Sequence, residues 1–137
     1  MRGPVPYFID SGGWIALAVE GDPYHARARE RWDELTSIGD KRFTSVPVVI
    51  ETFTFLDRNT DRPTALLWKQ EVQKVPRLSI LECSLRDVER SWKWFDRKEL
   101  HKLSAVDATS FTLMERHRIT HAFTFDVHFS VAGFKIL

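Results

Sequence analysis

Four carboxylates stand inside or directly beside apolar runs, where a charge is costly to bury unless it is paired, hydrogen-bonded or bound to a metal. They are Asp10 after Tyr7-Phe8-Ile9, Glu51 after Val48-Val49-Ile50, Asp107 after Leu103-Ser104-Ala105-Val106, and Asp126 after Phe123-Thr124-Phe125. Each alone has an ordinary reading. Asp107 stands three residues after Ser104 and fits the acid of a capping box. Asp10 and Asp126 fit strand-end turns. Glu51 is harder to place, because Val48, Val49, Ile50, Phe53 and Phe55 surround it. Together the four suggest one cluster that binds a hard divalent cation, a common means of cutting phosphodiesters.

Other chemistries fit poorly. Asp10-Ser11-Gly12-Gly13 has glycine where a phosphatase would need its second carboxylate. No glycine-rich phosphate loop with a following Lys-Ser or Lys-Thr occurs. His117 and His121 lack a helical Glu partner, and Cys83 has no cysteine or histidine at ligand spacing, which argues against zinc. The net charge of +1 announces no nucleic-acid partner, although balance can hide a local patch. Arg27, Arg29 and Arg31 cluster, as do Arg97, Lys98 and Lys102; solvated helix faces explain both groups as readily as a binding patch. The single cysteine allows no intrachain disulfide and is compatible with a reducing cytoplasm, the expected location. No apolar run approaches the ~20 residues of a membrane span, and the stretch before Asp10 is too short and too lightly apolar for a signal peptide.

The elements that position these acids follow from the pattern. The 137 residues fit one domain, 1–137. Short apolar runs alternate with longer helical segments, which predicts an α/β fold with a mainly parallel sheet. Strands are expected over Tyr7–Asp10, Arg42–Ser45, Leu78–Leu81, Ala122–Phe125 and Phe134–Leu137. Helices are expected over Trp14–Glu20, from Asp22-Pro23 to about Ile38, over Pro47–Arg58, from Asp61-Arg62-Pro63 to about Val75, from Ser84 to between Arg97 and Leu100, and from Ser104 to about His117. Asp10 and Asp126 then end two strands, while Glu51 and Asp107 lie early in two helices. In open parallel sheets the ligand site lies outside the carboxyl ends of the strands, so all four acids face one crevice.

These residues resemble the PIN domain family, in particular VapC-type toxin ribonucleases. The resemblance runs from about Tyr7 to Ile136. Four segments carry it: Phe8-Ile9-Asp10-Ser11-Gly12-Gly13-Trp14, Thr44-Ser45-Val46-Pro47-Val48-Val49-Ile50-Glu51-Thr52, Leu103-Ser104-Ala105-Val106-Asp107-Ala108, and Phe123-Thr124-Phe125-Asp126-Val127-His128. Any one is weak; four in order at these separations are fairly specific. The resemblance implies a three-layer α/β/α sandwich and an acidic pocket for Mg²⁺ or Mn²⁺. Asp10, Glu51, Asp107 and Asp126 match the family's acidic quartet as catalytic and metal-binding residues. Ser11 and Thr124 match neighbouring hydroxyls that support metal or water, although Thr124 could equally pair with backbone. Asp96 stands near the third segment as an auxiliary acid or a surface charge. His128 occupies a position where the family often has a basic residue; a turn residue is the plainer reading.

The implied activity is metal-dependent hydrolysis of RNA by the toxin of a type II toxin–antitoxin pair. The expected partners are an RNA substrate, a cognate antitoxin protein and a second copy of the chain in a homodimer, with no membrane. RNA read by base identity must be single-stranded near the cut, since an A-form duplex hides its base edges from side chains. Arg27, Arg31, Arg58, Arg62, Lys98 and Lys102 are candidate phosphate contacts. Two alternatives stand beside this reading: a catalytically silent PIN-like module that binds RNA or protein, and a DNA nuclease. Trp14 and Trp32 are expected in the core; Trp68, Trp92 and Trp94 are core residues or part of a partner surface.

Overall fold

In the computed structural model, which describes residues 3–137, five strands form one sheet in the order β3-β2-β1-β4-β5. The strands are β1 (Tyr7–Ile9), β2 (Arg42–Ser45), β3 (Leu78–Leu81), β4 (His121–Phe123) and β5 (Lys135–Ile136). All four pairings are parallel; Tyr7 lies opposite Arg42 on one side and His121 on the other. The helices are α1 (Ser11–Ala18), α2 (His25–Ile38), α3 (Val46–Asn59), α4 (Arg62–Val72), α5 (Leu85–Ser91), α6 (Ala105–Arg116) and α7 (Val127–Val131), with a 3₁₀ turn over Trp92–Asp96.

Strand order and handedness together dictate the layers. The chain steps from β1 through β2 to β3 in one direction, then returns past β1 to β4 and β5. Right-handed crossovers put α1 to α4 on one face and α5 to α7 on the other. The result is the expected three-layer α/β/α sandwich. An aromatic cluster marks each layer. Trp14 packs on Trp32 and Trp68, and Trp32 meets Phe123 edge-on. On the other face Phe111 contacts Trp94, Phe129 and Phe134. Trp94 is buried and Trp92 exposed, as their two-residue spacing requires.

Reversal of direction about β1 makes the crevice between the carboxyl ends of β1 and β4 the switch point of the sheet. The backbone closes tightly there. A Cβ at Gly13 would lie 2.6 Å from the Phe123 carbonyl oxygen, so only glycine lets the first turn of α1 approach β4. The far end of the sheet holds a buried cation. The Arg42 guanidinium lies 3.9 Å from the Trp32 ring centre, donates to the Tyr7 hydroxyl at 2.8 Å and also bonds Thr36.

The structure corrects several boundaries. The segment Asp10 to Gly13 is not a turn before a helix: α1 already begins at Ser11, because the Asp10 carboxylate caps it by accepting from the Gly13 N–H at 2.8 Å. Asp22 does not cap α2. It accepts from the Tyr24 N–H at 2.8 Å in a preceding turn, and α2 begins at His25. The helix from Ser84 stops at Ser91 and tightens into the 3₁₀ turn, and α4 ends at Val72. Strand β4 stops at Phe123, two residues short of expectation, because the chain turns away to start α7. Among the described residues, no helix is long and apolar enough to cross a membrane.

Candidate active site

Each of the four acids is placed by a helix beginning at the carboxyl edge of the sheet. Asp10 and Asp126 are the N-caps of α1 and α7, Asp107 lies in the first turn of α6, and Glu51 lies one turn further into α3. The positive end of a helix favours the carboxylates of Asp10, Asp107 and Asp126, while Glu51 lies beyond the first turn of α3. Ser104 caps α6 by accepting from the Asp107 N–H at 3.0 Å, yet the Asp107 carboxylate does not reach back to Ser104. Asp87 does reach back, and its carboxylate accepts from the Ser84 N–H at 2.9 Å in a complete capping box. Asp107 is therefore left with its carboxylate turned to the other acids.

Polar neighbours fix the carboxylates. The Thr124 hydroxyl donates to Asp10 Oδ2 at 2.6 Å, while Asp10 Oδ1 accepts from Gly13. Thr124 Oγ1 also accepts from the Asp126 N–H at 3.0 Å, so one hydroxyl ties two acids together. It pairs with a carboxylate and with backbone at once, so the expected backbone pairing is present beside a bond to Asp10. The Ser11 hydroxyl donates to Glu51 Oε1 at 2.5 Å. Asp126 Oδ1 accepts from the His128 N–H at 2.9 Å and lies 3.0 Å from His128 Nδ1. The other ring nitrogen, Nε2, lies 2.7 Å from the His101 carbonyl oxygen.

Asp10 and Asp107 both feel the charges of Asp126 and Glu51. Asp10 is only 2% exposed, and burial pushes its carboxyl up to about 7, with Asp126 and Glu51 adding to the shift. Burial, then the charge of Asp10, then a hydrogen bond shared with Asp126 push Asp107 up to about 8, with Glu51 contributing. Asp107, Asp126 and His128 each present a ligand atom within 4.8 Å of the other two. Among the described residues no lysine or arginine pairs with any of the four acids, and His128 is the one basic contact. Asp87 is as buried as Asp10 but has Arg116 Nε at 3.0 Å. Fixed, crowded oxygen donors that no lysine or arginine of the described residues neutralises suit a hard divalent ion. They would hold it mostly by carboxylate oxygens.

Two clefts open from the cluster. Glu51 borders an apolar groove of about 690 Å³ that Val46, Ile50, Phe55 and Val106 also line. Asp126 borders a second groove of about 280 Å³ with Tyr24, Arg27 and Phe125. Asp96 is exposed at the end of the 3₁₀ turn and is not brought into the cluster. His128 is brought in, by a contact whose sequence signal is slight: an Asp-x-His spacing at the start of a helix too short for periodicity to reveal. Of the candidate phosphate contacts, Arg62 is engaged with Asp57 and Arg31 with Glu34. Arg27 and Arg58 border the two clefts.

Residues 7–135 match the PIN domain family. The chain is 34% identical over 128 residues to the 23S rRNA-specific endonuclease VapC20 of Mycobacterium tuberculosis, a match that covers 93% of this chain and 94% of the relative. The crystal structure of VapC20, described as a sarcin–ricin loop cleaving toxin, superimposes with a TM-score of 0.82 at 31% identity, covering 93% of this chain and 95% of that one. Two DNA-bound assemblies share the fold alone. VapBC2 of Rickettsia felis, on a promoter fragment, has a TM-score of 0.68 at 11% identity, covering 97% and 98% of the two chains. VapBC of Salmonella typhimurium has a TM-score of 0.67 at 14% identity, covering 97% of each.

Proposed function

The chain belongs to the PIN domain family, and from that premise we propose that it is a divalent-metal-dependent endoribonuclease, the toxin of a toxin–antitoxin pair. The observation that carries this reading is the mutual crowding of charge among Asp10, Glu51, Asp107 and Asp126, with no lysine or arginine of the described residues paired to them. The similarity to an rRNA-specific endonuclease over nearly the whole chain supports RNA as the substrate. A segment of 23S rRNA that is single-stranded at the cut is the substrate to try first.

In this mechanism Asp10, Glu51 and Asp107 would hold Mg²⁺ or Mn²⁺, with Asp126 completing the pocket directly or through water. A divalent ion held there would supply an acidified water and would offset charge on the phosphate oxygens. The chain supplies rigidity. Gly13 N–H and the Thr124 hydroxyl fix the two oxygens of Asp10, Ser11 aims Glu51, and His128 aims Asp126. Burial of Asp10 and Asp107 excludes water from all but the open side of the cluster. The products carry a 5′-phosphate and a 3′-hydroxyl. A cognate antitoxin protein and a second copy of the chain are the partners in this reading, and the exposed apolar side chains of Leu85, Trp92 and Phe95 support a protein contact.

Labelled RNA and DNA of one sequence, each incubated with Mg²⁺ or with EDTA, test the proposal. Cleavage of RNA alone, abolished by EDTA, is the expected result. Cleavage of DNA alone favours a DNA nuclease. No cleavage, together with no heat of Mn²⁺ binding by titration calorimetry, favours a silent binding module.

A further inference from the structure

Beside the acid cluster, an aromatic pair faces outward. Tyr24, which precedes α2, and Phe125, which follows β4, stack with ring centres 4.6 Å apart and planes within 8°. Phe125 is backed edge-on by Phe123, with centres 6.1 Å apart, so the pair is anchored in the core from one side. Tyr24 is 42% exposed. Phe125 covers one face of its ring, which directs the exposure to the other face and the hydroxyl edge. The Arg27 guanidinium carbon lies 5.8 Å from both ring centres, and among the described residues no carboxylate pairs with it. Phe125 is the residue between Thr124, which holds Asp10, and Asp126. One groove of about 280 Å³ is bordered by Tyr24, Arg27, Phe125 and Asp126 together, so the pair and the acid cluster share a continuous surface.

We propose that Tyr24, backed by Phe125, is a stacking platform for an unpaired base next to the scissile phosphate, with Arg27 meeting the adjoining phosphate. The proposal rests on the ribonuclease reading above and adds the direction in which the strand leaves the acids. A flat apolar face rimmed by an unpaired cation matches the two surfaces of a nucleotide, its base plane and its phosphate. Single-strand binding uses the same pairing of aromatic faces with positive charge. A protein segment in the same groove would leave RNA handling independent of Tyr24, which the first and third assays below read.

The parent chain, Tyr24→Phe, Tyr24→Leu and Arg27→Gln are compared in three assays. The first is cleavage of a single-stranded oligoribonucleotide with Mg²⁺. The second is hydrolysis of bis(p-nitrophenyl) phosphate, which needs the acids but no platform. The third uses Ca²⁺ in place of Mg²⁺ and follows quenching of 2-aminopurine set at successive positions in the RNA. The expected result is a rise of about 10-fold in KM for RNA in Tyr24→Leu, near-parental behaviour in Tyr24→Phe, and unchanged hydrolysis of the small diester in both. Quenching at one position next to the cut is lost in Tyr24→Leu and kept in Tyr24→Phe. Arg27→Gln weakens RNA binding and flattens its salt dependence. Parental RNA cleavage and quenching in Tyr24→Leu would overturn the platform while leaving the nuclease reading intact. A parent chain that cuts neither RNA nor the diester overturns both readings.

Discussion

Burial first, and then the charges of Asp10, Asp126 and Glu51, opposes ionisation of Asp107, and no lysine or arginine of the described residues pairs with it. This has a consequence for stability. Asp10 and Asp107 bind protons in the folded chain up to about pH 7 and 8, whereas in the unfolded chain they lose them near 3.8. Over that window the folded state holds more protons, so stability of the metal-free protein falls as pH rises from about 4 to 8. His117, lowered chiefly by burial, contributes a smaller change of opposite sign. Thermal melts in EDTA across this range should show the decline, and saturating Mn²⁺ should reduce it. Asp107→Asn should melt higher than the parent at alkaline pH without metal, while losing cleavage. Ser11→Ala removes the hydroxyl that aims Glu51 and should weaken Mn²⁺ binding about 10-fold by calorimetry, with the fold unchanged. The acids were legible in the sequence because a carboxylate set in an apolar run has few satisfactory fates. The Ser11–Glu51 and Thr124–Asp10 bonds were not derivable from spacing, since each joins segments far apart in the chain. The family resemblance alone pointed to those hydroxyls.

At the scale of elements, the site depends on how closely α1 approaches β4. Gly13→Ala must push its methyl group into the Phe123 carbonyl and ring, and should cost on the order of 1–3 kcal/mol in denaturant unfolding. The same shift moves Asp10 away from Thr124, so the loss of cleavage should exceed what the lost stability explains. Strands β2 and β3 were readable to the residue, because both runs are short and lie between helix-ending or turn residues, Gly39-Asp40 and Pro47 around β2, Pro76 and Ser84 around β3. The end of β4 was not. Phe123, Thr124 and Phe125 read as one alternating strand, but Thr124 turns its hydroxyl to Asp10, and Asp126 then caps a five-residue helix anchored by buried Phe129. That helix is what carries His128 back to Asp126, so missing the element meant missing the contact.

For the whole molecule, the reversal of strand order about β1 explains why acids distant in sequence meet, and why grooves open on both sides of them. Exposed apolar side chains cover both helical layers, Leu66 and Leu67 on α4, Leu85 on α5, Trp92 and Phe95 on the 3₁₀ turn. Purification from native cells at low salt should therefore yield the chain with a small partner protein, as a dimer by light scattering; a solitary monomer would remove the toxin–antitoxin assignment without touching the chemistry. The chemistry itself stands on one comparison: cleavage of a single-stranded 23S rRNA segment with Mg²⁺ by the parent, by Asp10→Asn and by Asp107→Asn, each checked for parental folding. Both variants should lose at least about 100-fold in rate, more than a supporting residue would cost. Folded variants that cut as fast as the parent would contradict it.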